Sequence, residues 1–577
     1  DMTITPPQPA QQAAEQAISI RPAGQVMRLS RLGSFFPHRL SFMRILMRRL
    51  CAERSELRIS SQSLDKDGYG HMVLTIQIGG MDISLIAYSR ALDAEDRTDR
   101  VIATKWDASF CLFDGVPDQQ EIDRLAGHVS TQEAGRYHDR ILCLSRANKS
   151  VRLFAHVVQA LADGRQPDHE MLVNTGYLMR TTAVYGNGKF GIADRSVIAG
   201  HDVFQPPFQI EMLAVFMIRE YSVLLAEWCA TQQSAQAVAL DAGYRRYLGI
   251  GNSTGLGMAP FLVNHPCLVH SWMIVRETAL MRCRTQETLT DTQHQIFADL
   301  LRRTKIHLSE WQVEDEDQTR RTGILRTEFD DFLAGLNKTP LAERYPLEDA
   351  FQRISGCSED MQELMVSLLI EICADEVDGL SHCLSNDFEP RLDTSMRVSE
   401  LAELVERDYR WACDIDLSMP EHEAQFWYVS AEKLEPRLGL RFEEEGADKE
   451  MPFHIVRYIR QLRADMRAVD GDMRLAHFML AYPHNRHIIR RIQTVSRFAY
   501  GEIRDNLVAD SCRPIDLLRC KLSFFGASKF DPKSDRWTRV TLFQGAPIPA
   551  DIAAGCDDDW LFATSPPPPQ GHITEPE

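Results

Sequence analysis

Apolar residues recur at helical spacing over most of this chain and at strand spacing over a minority of it. From Leu40 to Cys51 the residues Leu40, Met43, Leu46, Met47 and Leu50 share one helical face. Arg44, Arg48 and Arg49 lie on other faces, so the segment reads as a basic amphipathic helix. Such a helix either lies on a membrane or polyanion, or packs inward with its arginines on the protein's own carboxylates; the acidic total charge favours the second. Residues 56–114 then switch to period two. "HMVLTIQIGG" and "MDISLIAYSR" meet at Gly79–Gly80 as a hairpin, and "VIATKWDASFCLFDG" supplies a third strand. Beyond Pro117 helical periodicity returns, over roughly 144–163, 208–230, 266–284, 290–312, 359–376, 397–412, 453–469 and 485–507. Two stretches interrupt it: a short aromatic strand within 425–442, and a late hairpin within 521–545 that begins with the strand "KLSFF".

These patterns predict an α+β fold, mainly α-helical, with a small antiparallel N-terminal sheet packed on a large helical body. No internal repeat and no regular strand–helix alternation is present, which argues against a doubly wound parallel sheet. The expected organisation is a disordered tail at 1–24, an N-terminal α+β region at 25–115, and a helical body carrying the site at 116–510. A short-strand region at 511–564 and a second disordered tail at 565–577 follow.

Composition narrows the function classes. The 577 residues carry 64 basic and 82 acidic side chains, a net charge of −18, which disfavours nucleic acid and anionic membrane as partners. The most apolar helix, 210–228, contains Glu211, Arg219 and Glu220, unlike a spanning segment. The first residues lack the apolar core of a secretory signal. Thirteen scattered cysteines without a Cys-x-x-Cys pair read as free thiols, and the expected location is the cytoplasm.

The densest candidate chemistry is "GYRRYLGIGNSTGLGMAPFLVNHP", residues 243–266. Gly251, Gly255 and Gly257 resemble the Gly-x-x-x-Gly-x-Gly turn of the short-chain dehydrogenases, which would imply a dinucleotide at a helix N-terminus. Gly251-Asn252-Ser253-Thr254-Gly255 resembles the Gly-x-Ser-x-Gly nucleophile elbow of serine hydrolases, with Asp414, Asp416, His484 and His487 in the order its partners take. Ser253, Met258, Pro260, Asn264 and Pro266 resemble the mobile loop of the fumarase and aspartase superfamily, in which serine is the base. Each resemblance is local and no family is identified across the chain. Common to all three is glycine-rich backbone ahead of helix starts, which offers unpaired N–H groups to an anion. Arg245 and Arg246 precede it, and His265 and His270 follow. The plain alternative is a tight turn whose glycines permit positive φ.

A second polar stretch spans 173–208. It combines Asn174, Arg180, Thr181, Thr182, Tyr185, Asn187, Lys189, Asp194, Arg195, His201 and Asp202 with apolar residues that have reason to pack. No His-Glu-x-x-His, EF-hand or Cys/His zinc spacing occurs, so no metal and no organic cofactor is expected. The resulting expectation is a cytoplasmic enzyme acting on a small carboxylate- or phosphate-bearing metabolite by acid–base chemistry, either elimination or hydrolysis. Ser253, Tyr185 and His265 would be catalytic. Asn174, Arg180, Lys189, Arg245, Asn252, Thr254 and Gly255 would bind substrate, with backbone amides near Gly255 facing an oxyanion. A homo-oligomer is compatible with this reading. Two alternatives stand beside it: a helical haem- or iron-dependent oxygenase, and a non-enzymatic ligand-gated interaction protein that docks partners through the basic helix.

Overall fold

The computed structural model describes residues 18–93, 106–129, 140–181, 204–252, 262, 265–311, 316–385, 392–416, 418, 427–429, 434–436, 448–450, 455–504, 514–531, 539–562 and 564–569. Over these residues the chain is α+β and mainly helical, as its patterning predicts. The sheet, however, is not small. Its strands are β1 (Leu57–Leu64), β2 (Gly70–Ile78), β3 (Met81–Ser89), β4 (Ala108–Asp114), β5 (Ile141–Lys149), β6 (Tyr177–Thr181) and β7 (Gly249–Asn252). After a separate three-stranded sheet of β8 (Trp427–Val429), β9 (Leu434–Pro436) and β10 (Asp448–Glu450), the chain adds β11 (Ala527–Asp531) and β12 (Arg539–Leu542). The order β1-β2-β3-β4-β5-β6-β7-β12-β11 makes nine strands, antiparallel except where β6 pairs β7 in parallel.

Alternation along β2–β4 sorts side chains between two cores. Leu74, Ile76, Leu85, Ala87, Phe110 and Leu112 join the main core, and Val73, Ile86, Cys111 and Phe113 join a smaller one with Ile122 and Leu125 of helix α1 (Gln119–Val129). Because both faces are covered, β5 shows little polar alternation. That is why residues 144–149 resemble the start of a helix in the sequence, whereas they belong to β5 and the helix α2 begins only at Leu153 and ends at Ala162. The segment "KLSFF", expected as a strand, is instead the end of a helix, α9 (Pro514–Phe524), closed by Gly526 at φ +83°.

Between β6 and β7 runs α3 (Gln209–Gln233), whose buried residues cover most of its circumference because it packs against the sheet, α2 and the helix Phe42–Glu53. The body includes α4 (Pro266–Arg284), α5 (Asp291–Glu310), α6 (Glu316–Lys338), α7 (Glu359–Ile372) and α8 (Val398–Asp408). No helix among the described residues is long and apolar enough to cross a membrane. The basic helix Phe42–Glu53 packs inward. Ser41 caps it, and Arg44 is fully buried against Glu371 and Asp558 while Arg48 reaches Asp558 at 2.8 Å. Cys51 at its end is bonded to Cys556, with Cα atoms 5.4 Å apart, so the expectation of free thiols fails for this pair and holds for the ten other described cysteines.

Candidate functional site

The site begins with a departure from antiparallel pairing. Tyr177 lies opposite Gly249 and Arg180 opposite Gly251, so β6 and β7 run side by side in the same direction. Parallel neighbours need a crossover, and α3 provides it. The chain therefore enters residues 182–203 and 253–261 from the adjacent C-terminal ends of two interior strands. β12 pairs antiparallel with β7, placing Val540 opposite Asn252, and Asp531 of β11 lies opposite Arg539. The paired residues Asp531 and Arg539 therefore also lie toward the C-terminal ends of β6 and β7.

The opposite ends of β6 and β7 are fastened tightly. Asp241 caps the short helix Ala242–Tyr247 by accepting from the amides of Gly243 and Tyr244. The amide of Gly249 donates to the Gly176 carbonyl at 2.9 Å, and Tyr247 donates to the Val173 carbonyl at 2.9 Å. Arg219 on α3 is buried and donates to the carbonyls of Leu248, Pro547, Arg245, Arg246 and Ala546. A guanidinium has five N–H groups and a helix leaves its last carbonyls unpaired, so each needs what the other offers. Burial pushes Arg219 down to about 10, opposed by the neighbouring Glu220 carboxylate. It therefore stays charged at neutral pH.

Two glycines of the candidate segment have packing reasons. A Cβ on Gly251 would sit 2.8 Å from the Tyr177 ring, and one on Gly249 would sit 2.3 Å from the Leu542 carbonyl oxygen. Neither position carries a positive φ among the described residues. The close passage of β7 between β6 and β12, rather than turn geometry, selects glycine there.

The expected site residues fall into three groups. Arg180 and Asn252 lie at these adjacent strand ends, Arg180 with its side chain buried and Asn252 as the last residue of β7. Thr181 beside them donates to the Arg146 carbonyl, and the Arg146 guanidinium stacks 4.1 Å over Trp106, an arrangement the sequence reading missed. A second group is held elsewhere. Asn174 is exposed in the helix His169–Thr175, at the opposite end of β6 from Arg180. Arg245 precedes β7 and faces Glu220 at 3.5 Å and Glu227 at 3.6 Å, so its charge is met by α3 rather than offered to a ligand. His265 is half-buried at the start of α4. Ser253, Thr254, Gly255, Tyr185 and Lys189 lie outside the described residues. The acid and histidine candidates of an elbow are engaged locally: His484 pairs with Asp465 at 2.8 Å, Asp416 accepts from Ser418, and the His487 ring packs 4.4 Å from that of Tyr458.

A further ionisable group escaped the sequence reading. Lys521 on α9 is fully buried, and burial pushes its amine down to about 7. Its signal was present as the one charge inside the apolar run "CKLSFF". Among the described residues no three His, Cys, Asp or Glu side chains are grouped to hold a metal ion. No protein family model, no curated protein and no solved structure matches this chain.

Proposed function

We propose that the chain is a cytoplasmic enzyme that binds a small carboxylate- or phosphate-bearing substrate beyond the C-terminal ends of β6 and β7. One observation carries the reading. The parallel register starts both polar stretches, 182–203 and 253–261, from adjacent strand ends, with Arg180 one strand away from Gly251. In sheets with parallel strands, ligand sites form outside the carboxyl ends. In this reading Arg180 holds the anion through paired N–H groups. Ser253 serves as base or nucleophile, with Tyr185 and Lys189 as proton carriers and backbone amides near Gly255 facing the developing negative charge. Arg245 is reassigned from binding to positioning, since Glu220 and Glu227 occupy it. The competing role for the basic helix at 42–53 as a docking surface loses support, because Arg44 and Arg48 face Glu371 and Asp558 inside the protein.

The test is a thermal-shift screen of the whole protein against carboxylates, phosphate esters and acyl-CoAs, repeated on Arg180→Lys and Ser253→Ala. A ligand raises the melting temperature by mass action. The expected result is a shift in the wild type that is lost in Arg180→Lys while that variant melts close to wild type without ligand. A shift that survives both substitutions, or no shift with any anion, would sink the reading.

A further inference from the structure

The sheet ends in an edge that invites a partner. β1 is eight residues long and, among the described residues, pairs with β2 alone. Sheet edges are ordinarily blunted by shortness, charged side chains, proline, a bulge or a cover, and of these β1 has Arg58 and a single bulge. β1 contains neither lysine nor proline, and at its middle Ile59 is 46% exposed. One bulge interrupts its pairing with β2, between Ile59 and Ser61.

That bulge gives the strand a symmetry. Leu57 and Ile59 lie opposite Ile76 and Leu74, and after the extra residue Gln62 and Leu64 lie opposite Met72 and Gly70. Ile76, Leu74 and Met72 all belong to the main core, so Leu57, Ile59, Gln62 and Leu64 share that face of the sheet. Without the bulge, Gln62 and Leu64 would sit on the other face. When an antiparallel copy of β1 is laid along its outer edge so that all eight residues pair, Leu57 meets Leu64, Arg58 meets Ser63 and Ile59 meets Gln62. Each same-face residue then meets a same-face residue on both arms, which an unbulged strand of this length does not achieve. No like charges stand opposite within the eight. Arg58 is already turned to Asp82 at 3.1 Å. The acids just outside are Glu56 and Asp65, and Asp65 is directed back onto the amides of Asp67 and Tyr69.

We propose that two copies of this chain associate through β1 about a two-fold axis, joining their sheets edge to edge and covering Ile59. A self-complementary patch is what a two-fold interface requires, and strand addition at an open edge supplies backbone hydrogen bonds as well as side-chain contacts.

The experiment uses the full-length protein. Multi-angle light scattering should give about twice the chain mass of 65.7 kDa. Ile59→Lys places a charge on an exposed position and should return the mass to that of one chain while leaving the melting profile of the fold intact. Under mild oxidation, the double variant Ile59→Cys with Gln62→Cys should form covalent dimers. Within one strand those positions lie about 10 Å apart, too far to bridge. The control Ile59→Cys with Ser63→Cys, which the proposed register does not align, should yield no more covalent dimer than wild type. A single-chain mass at the highest attainable concentration would overturn the proposal. So would a dimer that persists in Ile59→Lys, or equal cross-linking in the two cysteine variants.

Discussion

At the scale of single residues, Arg219 is where the most structure depends on one side chain. Its five carbonyl partners come from the helix that leads into β7 and from residues 546 and 547 near the C-terminus. Arg219→Met removes the donors from these buried carbonyl acceptors and takes one of two cationic neighbours from Glu220. We expect a loss of about 3–5 kcal/mol in urea unfolding, the range for breaking a buried charged network. A loss below about 1 kcal/mol would show that water satisfies these carbonyls instead. Lys521 gives an expectation with a sign. Its folded amine is pushed down to about 7 from an ordinary 10.5. Between those values the unfolded chain binds a proton that the folded chain does not, so this group makes stability rise with pH across the window and adds nothing to the slope below it. Urea midpoints at pH 7, 8 and 9 should therefore climb more steeply for wild type than for Lys521→Met; parallel slopes would contradict the burial. The candidate site was legible in part at this scale. Arg180 and Asn252 were marked by residue type and do fall at adjacent strand ends. Arg245 was misread because sequence neighbourhood shows what precedes β7 but not that Glu220 and Glu227 face it from a separate helix.

At the scale of elements, patterning located what had a strong apolar stripe and clear ends. The periodicity over 266–284 matches the helix Pro266–Arg284 at both bounds, and Pro266 opens it. The periodic stretch 290–312 holds the helix Asp291–Glu310, whose start Thr290 and Gln293 close with a capping box. The 23-residue α6 was overlooked. Its core stripe of Leu325, Phe329 and Phe332 is narrow, and eleven of its residues are charged or amide side chains that mask the period. The pairing of distant elements had no local signature at all. Cys51 ends the basic helix and Cys556 follows the helix Pro549–Ala554, 505 residues later. Closing so long a loop constrains the unfolded chain strongly, so reduction or Cys556→Ser is expected to lower stability by about 2–5 kcal/mol. A non-reducing peptide map should show the Cys51–Cys556 peptide. If that linked peptide is absent and reductant leaves the melting temperature unchanged, the bond does not form in solution.

At the scale of the whole molecule, the sheet is built from both ends of the chain. β7 is only four residues long, and it is held between β6, some seventy residues earlier, and β12, nearly three hundred later. The same late segment supplies Phe525 against Phe42 and Phe208, Arg519 against Asp360, the carbonyls of Ala546 and Pro547 to Arg219, and Asp558 to Arg44 and Arg48. Without β12, β7 keeps β6 as its one neighbour among the described strands, and a four-residue strand with one neighbour is marginal. A chain ending at residue 510 is therefore expected to lose cooperative unfolding and near-ultraviolet circular dichroism, not merely a few degrees of stability. Helical far-ultraviolet signal would persist, since the helices of the body pack on one another. If the shortened chain instead unfolds cooperatively near the wild-type midpoint, the parallel pair β6–β7 is stable without β12, and the candidate site would belong to a unit that the C-terminal strands decorate rather than complete.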